Sequence, residues 1–191
     1  MYKTKISGVG SYLPEKVLTN HDLEKMVDTS HDWIVQRTGI ERRHIIADGE
    51  GTSDLIVRAA QNALADAKMS VDQIDLILVA TLSGDFKMPA TACIVQAKLG
   101  AKNVMSFDLN AACSGFVYGL IVADQFIKTG FYKNILVVGA ENLTRILNYK
   151  DRDTCILFGD GAGAFVVSRA EDHESNVMLT GHAHAEGAHA E

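Results

Sequence analysis

The feature that most constrains the fold is the run from Ile74 to Thr81, where Ile74, Leu76, Ile77, Leu78 and Val79 leave no polar face. A half-buried strand alternates apolar and polar residues; a run without alternation needs cover on both sides, as in a largely parallel sheet between helical layers. Neighbouring segments can supply that cover. Between residues 53 and 68, Leu55, Ile56, Ala59, Ala60, Ala63, Leu64 and Ala67 recur at helical spacing. A second helix is read from Pro89, suited to a first helical position, to its stop at Gly100. A third, largely apolar, runs from Cys113 to Thr129 and closes at Gly130.

Further strands are read at 6–12, 104–109, 135–139 and 162–168. Near the N-terminus, Asn20 is placed to cap a helix carrying Leu23, Met26 and Val27. The stretch Thr29-Ser30-His31-Asp32 resembles a second cap, for a short helix ending at Gly39. Strands alternating with helices predict an α/β domain with a mixed, mostly parallel five-stranded sheet and helices on both faces. The last strand follows a glycine-rich loop rather than a helix, so it is expected to run antiparallel at an edge. No internal repeat or linker interrupts the chain, and residues 1–191 read as a single domain.

Composition narrows the function. With 47% hydrophobic residues and two prolines, the chain can build a core and is not of disordered type. A formal charge of −6 gives nonspecific nucleic-acid binding no support. No window of about 18 apolar residues exists to span a membrane. The start, Met1 to Ile6, has no long apolar stretch of secretory type. Three cysteines, Cys93, Cys113 and Cys155, show neither CxxC nor metal-type spacing, which fits a reducing compartment. A cytoplasmic enzyme is the expectation, with no metal and no resident cofactor.

The informative segment is Phe107-Asp108-Leu109-Asn110-Ala111-Ala112-Cys113-Ser114-Gly115-Phe116. A strand ends, a helix begins, and a cysteine sits at the junction between small residues that permit a tight turn. Free N–H groups and the dipole at a helix start favour thiolate over thiol. The cysteine's own N–H could serve a tetrahedral oxyanion. The arrangement is physically that of a hydrolase elbow, although the GxSxG pattern is absent. The competing reading is that Cys113 is a compact buried residue, as cysteines often are; Cys93 and Cys155 are read that way.

Five collinear motifs resemble β-ketoacyl-acyl carrier protein synthase III, a thiolase-fold condensing enzyme: residues 8–15, 32–40, 112–116, 151–154 and 157–164. The resemblance runs from residue 2 to about 186 and corresponds to the N-terminal half of that family's αβαβα fold. It implies an acyltransferase that joins an acyl group from acyl-CoA to malonyl-acyl carrier protein with loss of carbon dioxide, at the start of fatty-acid synthesis. Cys113 would carry the acyl group. Trp33 and Arg37 would sandwich the CoA adenine, Thr29 would touch the same ring, and Arg152 would meet a CoA phosphate. Leu143 and Phe158 match acyl-pocket positions. Met88 matches a residue that crosses a homodimer interface; methionine there is narrower and more flexible than the common aromatic side chain.

The same resemblance assigns a histidine and an asparagine that stabilise the malonyl enolate to the other half, beyond residue 191. Condensation by these residues alone is therefore not expected, and half an intersheet core would leave a broad apolar face. Two other functions remain open. One is a truncated paralogue that binds acyl groups or pairs with a second polypeptide. The other is a cysteine hydrolase, for which no histidine precedes Cys113 in a suitable place. The tail from Gly181 carries His182, His184 and His189, read as a solvated loop rather than a metal site. Gly159-Asp160-Gly161-Ala162-Gly163 lacks the GxGxxG spacing and precedes a strand, so it is read as a turn, not a phosphate cradle.

Overall fold

A computed structural model describes residues 1–189. Ala190 and Glu191, the last residues of the histidine-bearing tail, lie outside the described residues. The chain contains β1 (Thr4–Tyr12), β2 (Lys16–Thr19), α1 (Asn20–Leu23), α2 (His31–Thr38), β3 (Arg42–Ile45), α3 (Thr52–Ala67), β4 (Leu76–Ala80), α4 (Thr91–Leu99), β5 (Met105–Leu109), α5 (Gly115–Lys128), β6 (Asn134–Asn142), α6 (Arg152–Cys155) and β7 (Asp160–Arg169). Five strands form one sheet in the order β1-β7-β6-β4-β5; β2 and β3 pair separately.

β4 pairs in parallel with both β5 and β6, whereas β7 is antiparallel to both β1 and β6. Four strands thus share a direction and β7 opposes them. The expectation of an antiparallel last strand holds, but β7 is interior rather than at an edge. Its burial explains the difference: Ala164, Val166 and Val167 are covered, and β1 supplies a second partner along nearly its whole length.

The apolar run of β4 is buried at every residue. Ile77 and Val79 join the core under α3 and α4, with Leu136, Val138 and Val166. Leu76 and Leu78 face the other way, into a core with Ala123 and Ile127 of α5. β4 therefore has two dry faces, the requirement read from its sequence, while the outer strands β1 and β5 leave Ile6, Val9 and Met105 exposed. α5 meets the sheet through Gly115, Gly119, Ala123 and Ile127, one residue every four, each buried. A Cβ on Gly119 would lie 2.9 Å from Leu78 Cδ2, so the missing side chain sets how closely α5 approaches. The outer side of α5 is less covered: Val117 is 51% exposed, and Tyr118 donates to the carbonyl of His184 in the tail.

Three helix starts differ from expectation. α4 begins at Thr91, and Pro89 lies ahead of it. The Asp108 carboxylate on β5 accepts from the N–H groups of Thr91 (2.7 Å) and Ala92 (2.8 Å), a cap supplied from another strand. At α2 the cap is Ser30, not Thr29: its hydroxyl accepts from Trp33 N–H, and Gly39 closes the helix in the left-handed region. The helix placed after Asn20 is a single turn capped by Thr19, whose hydroxyl accepts from Asp22 N–H, and not by Asn20, which is buried as its first residue; Leu23 is buried but Met26 is 49% exposed.

Candidate functional site

The site lies at the carboxyl ends of β4, β5 and β6, where open α/β sheets commonly take ligands. β5 ends at Leu109, a 3-10 turn spans Ala112–Ser114, and α5 begins at Gly115. Cys113 sits on that turn and its side chain is exposed. The N–H of Ser114 bonds Ala111 O, and that of Gly115 bonds Ala112 O. Among the described residues the Cys113 N–H has no such partner. Ala112 carries φ +44°, a left-handed conformation that disfavours a Cβ. Strain of this kind at a turn is how a side chain is lifted clear of a sheet.

Cys113 opens into a cavity of about 500 Å³. Its floor is small residues: Ala80, Ala112, Gly139 and Ala140. Its walls are Leu82, Phe116 and Phe158, with Leu143, Ile146 and Leu147 from the segment after β6. Glu141 is the one charged residue in the lining. Apolar walls with a single nucleophile and few polar groups suit a hydrocarbon chain ending in a reactive carbonyl.

The wall at 143–147 is anchored by Asp160, which is 4% exposed. Its carboxylate accepts from Thr144 N–H (3.0 Å), Thr144 hydroxyl (2.5 Å) and Ile46 N–H (2.8 Å). The acid of the glycine-rich segment thus ties the cavity wall to the end of β3. It holds protein, not phosphate, but the segment is not the turn read from the sequence: Asp160 to Gly163 are the first residues of β7, where they pair with Gly139 to Asn142 of β6.

A second cluster stands on α2 and α6. Trp33 is half-buried over a small core of Leu23, Ile34, Cys155 and Ile156. The Arg37 guanidinium lies 4.7 Å from its ring centroid and that of Arg152 lies 4.2 Å away. Arg152 is placed by the cap at Asp151, which accepts from Asp153 N–H and the Thr154 hydroxyl. Those bonds, the Thr154 hydroxyl first, hold the Asp151 carboxyl below the ordinary aspartate range. The Thr29 hydroxyl is buried and has no partner among the described residues.

Beneath both clusters runs Arg43, which is 4% exposed. It donates to Ile156 O through Nε (3.1 Å) and Nη2 (2.6 Å), and to Asn20 Oδ1 through Nη1 (2.7 Å). Burial pushes its pKa down. This guanidinium joins the α1–α2 region to the segment leading into Phe158.

Of the residues singled out from sequence, Cys113, Leu143 and Phe158 come together at the cavity. Trp33, Arg37 and Arg152 come together at the indole, although Arg152 stacks there rather than standing free. Met88 is 85% exposed and outside the cavity lining. Cys155 is buried, as read; Cys93 is not, because α4 turns Thr91, Ala92 and Val95 inward and leaves Cys93 exposed. Glu141, Asp160 and Arg43 escaped the sequence reading. A carboxylate at the end of the apolar strand Ile135 to Ala140 was the available signal for Glu141.

A mixed sheet packed by helices on both faces, with a strained turn at its carboxyl ends presenting a cysteine to an apolar cavity, defines an α/β fold that carries a nucleophile at a strand-to-helix junction. Comparison with known proteins narrows it. The sequence profile of 3-oxoacyl-[acyl-carrier-protein] synthase III matches residues 107–187. The β-ketoacyl-[acyl-carrier-protein] synthase III of Caldanaerobacter subterraneus subsp. tengcongensis is 58% identical over 166 residues, 87% of this chain and 50% of that protein. That of Thiobacillus denitrificans is 57% identical over 192 residues, 100% of this chain and 59% of that protein. The crystal structure of 3-oxoacyl-[acyl-carrier-protein] synthase III from Aquifex aeolicus superposes with TM-score 0.86 at 56% identity, covering 88% of this chain and 55% of that one. The chain belongs to the β-ketoacyl-[acyl-carrier-protein] synthase III family and spans about half the length of the curated relatives it matches.

Proposed function

We propose that Cys113 accepts an acyl group from acyl-CoA and holds it in the cavity, as the loading step of a β-ketoacyl-acyl carrier protein synthase III. The observation that carries this is the opening of the Cys113 turn into an apolar cavity of about 500 Å³. In the step, the sulfur attacks the thioester carbonyl, the Cys113 N–H stands ready for the oxyanion, and CoA leaves as its thiol. Trp33, Arg37, Arg152 and the unpartnered Thr29 hydroxyl form the patch for the nucleotide end of CoA. An incoming adenine shares the indole with two guanidinium groups; Arg152 also donates to Asp28 O (3.3 Å), a bond it must exchange to meet a phosphate.

Transfer of the acyl group to malonyl-acyl carrier protein, opening fatty-acid synthesis, is the second half of the proposal. Decarboxylation needs hydrogen-bond donors at the malonyl thioester oxygen. No histidine or asparagine lines the cavity, so those donors must come from outside the described lining. Homodimerisation, with Met88 reaching a partner's pocket, and a cytoplasmic location complete the proposal; no helix among the described residues is long and apolar enough to cross a membrane.

The test is intact-mass measurement after incubation with acetyl-CoA and, separately, octanoyl-CoA. A single acyl adduct, lost in Cys113→Ala, is expected. Unmodified wild-type protein, or an adduct that survives in Cys113→Ala, would refute the loading step.

A further inference from the structure

We propose that Glu141 is a positioning residue that fixes the rim of the cavity, and with it the acyl lengths the cavity accepts. The inference rests on the reading of Cys113 as the acylated thiol. Glu141 stands at the end of β6, and its carboxylate is occupied by the segment that follows β4. Oε1 accepts from Leu82 N–H (3.0 Å). Oε2 accepts from Ser83 N–H (3.1 Å), from the Thr81 hydroxyl (3.4 Å) and from the Ser83 hydroxyl. Ser83 Oγ in turn accepts from Asn142 N–H (2.7 Å), and Thr52 donates to Ser83 O (2.5 Å).

Residues 81–83 belong to no helix or strand. Their amides depend on this one carboxylate, apart from a bond from Ser83 N–H to its neighbour Thr81 and the continuation of β5 pairing at Thr81 N–H. A charged acceptor makes stronger bonds than a neutral one. Four donors converge on its two oxygens, which leaves the carboxylate engaged as a clamp rather than poised as a base. What the clamp holds is Leu82, a wall of the cavity that is 42% exposed and otherwise at the surface. Without the clamp the Leu82 amide and two hydroxyls lose their acceptor, the Ser83 amide keeps only its neighbour Thr81, the segment loosens, and Leu82 leaves the wall. The cavity then opens on that side, and selection by chain length relaxes.

The experiment reads Cys113 with linear alkyl methanethiosulfonates from methyl to octyl, in a Cys93→Ser background that removes the other exposed thiol. The Cys113 sulfur attacks the reagent's sulfenyl sulfur, a mixed disulfide forms, and methanesulfinate leaves with the electron pair. No CoA recognition is involved, so the result stands apart from the acyl-CoA test: an absent acyl-CoA adduct sinks the loading step, and an unaltered alkyl profile sinks this one.

In Glu141→Gln, isosteric but neutral, the octyl-to-methyl rate ratio is expected to rise about threefold or more, the methyl rate staying within about twofold. Leu82→Ala is expected to reproduce that profile without touching the carboxylate. Hydrogen exchange at the Leu82 and Ser83 amides should accelerate about tenfold or more in Glu141→Gln, with core amides of β4 unchanged. An unchanged ratio would overturn the proposal, whatever the exchange shows. So would equal slowing of every reagent, methyl included, because that is the signature of a base acting on Cys113.

Discussion

Replacing Gly10 by alanine tests the packing that supports the site. Gly10 lies on β1 directly beneath α3. A Cβ built there falls 2.2 Å from Ala63 N and 2.3 Å from Ala59 O, with Asn62 C at 2.8 Å. All three are backbone atoms of a helix, so no side chain can rotate away. To reach ordinary contact α3 must lift from β1 by about 1 Å, and a gap of that size forfeits roughly a quarter to a half of each dispersion well it opens. α3 buries Leu55, Ile56, Ala59, Ala60 and Ala63 completely, so the loss spreads over its whole inner face. Overpacking that side chains can absorb costs about 1–3 kcal/mol. With the backbone as the obstacle, a loss of about 3 kcal/mol or more is expected.

Gly163 is the internal control. It is on the adjacent strand β7, paired with Ser11, and a Cβ there meets nothing within 4 Å. Gly163→Ala should change stability by no more than about 0.5 kcal/mol in either direction. The assay is urea unfolding followed by circular dichroism. With a slope of roughly 2 kcal/mol per molar, Gly10→Ala should move the midpoint down by about 1.5 M while Gly163→Ala leaves it nearly in place. Equal midpoints for the two variants would refute the inference that α3 rests on the bare backbone of β1.

Further outcomes follow from the same structure. Ala112 pays for its left-handed φ of +44°, so Ala112→Gly should stabilise by about 0.5–1 kcal/mol after the added unfolded-state freedom is subtracted, and Ala112→Val should destabilise, both read from urea midpoints. Trp33 is the only tryptophan, so its fluorescence reports on the α2–α6 patch. Asp151 has a folded-state pKa held below the ordinary value of 3.8, which means its capping contribution is present above that value and is lost as pH falls through the depressed one. Acid titration should therefore show a Trp33 fluorescence change below about pH 4 that Asp151→Ala removes; an unaltered titration in that variant would count against the cap. CoA titrated against the same fluorescence should bind about 3- to 30-fold more weakly to Arg37→Ala and Arg152→Ala, the range expected for loss of one guanidinium from an aromatic face.

The sheet was legible because its signal is local. A five-residue apolar run, Leu76 to Ala80, has few places to hide, and the helical spacing of Leu55 to Ala67 belongs to α3 alone. The cysteine turn was legible for the same reason: strand, small residues and helix follow one another along the chain. What escaped depends on residues far apart in sequence. The cap of α4 comes from Asp108, about a helix's length downstream, so Pro89 looked like the better start. β7 looked like an edge strand because its partner β1 is the first segment of the chain. Glu141 carries no mark in the sequence beyond its place at the end of an apolar strand, and Asp160 sits in a glycine-rich segment that read as a turn; only their donors at Leu82, Ser83, Thr144 and Ile46 reveal them as anchors of the cavity walls. The indole–guanidinium cluster joins α2 to α6 across more than a hundred residues, and a lone Trp-x-x-x-Arg spacing carries little by itself.

The central claim concerns which thiol reacts. Cys113 and Cys93 are both exposed, but only Cys113 opens into an apolar cavity. Proteolysis and fragment mass analysis after brief exposure to limiting octanoyl-CoA put the two in direct competition. The acyl mass is predicted on the Cys113 peptide with Cys93 essentially unmodified; acylation shared between them, or concentrated on Cys93, would contradict the account.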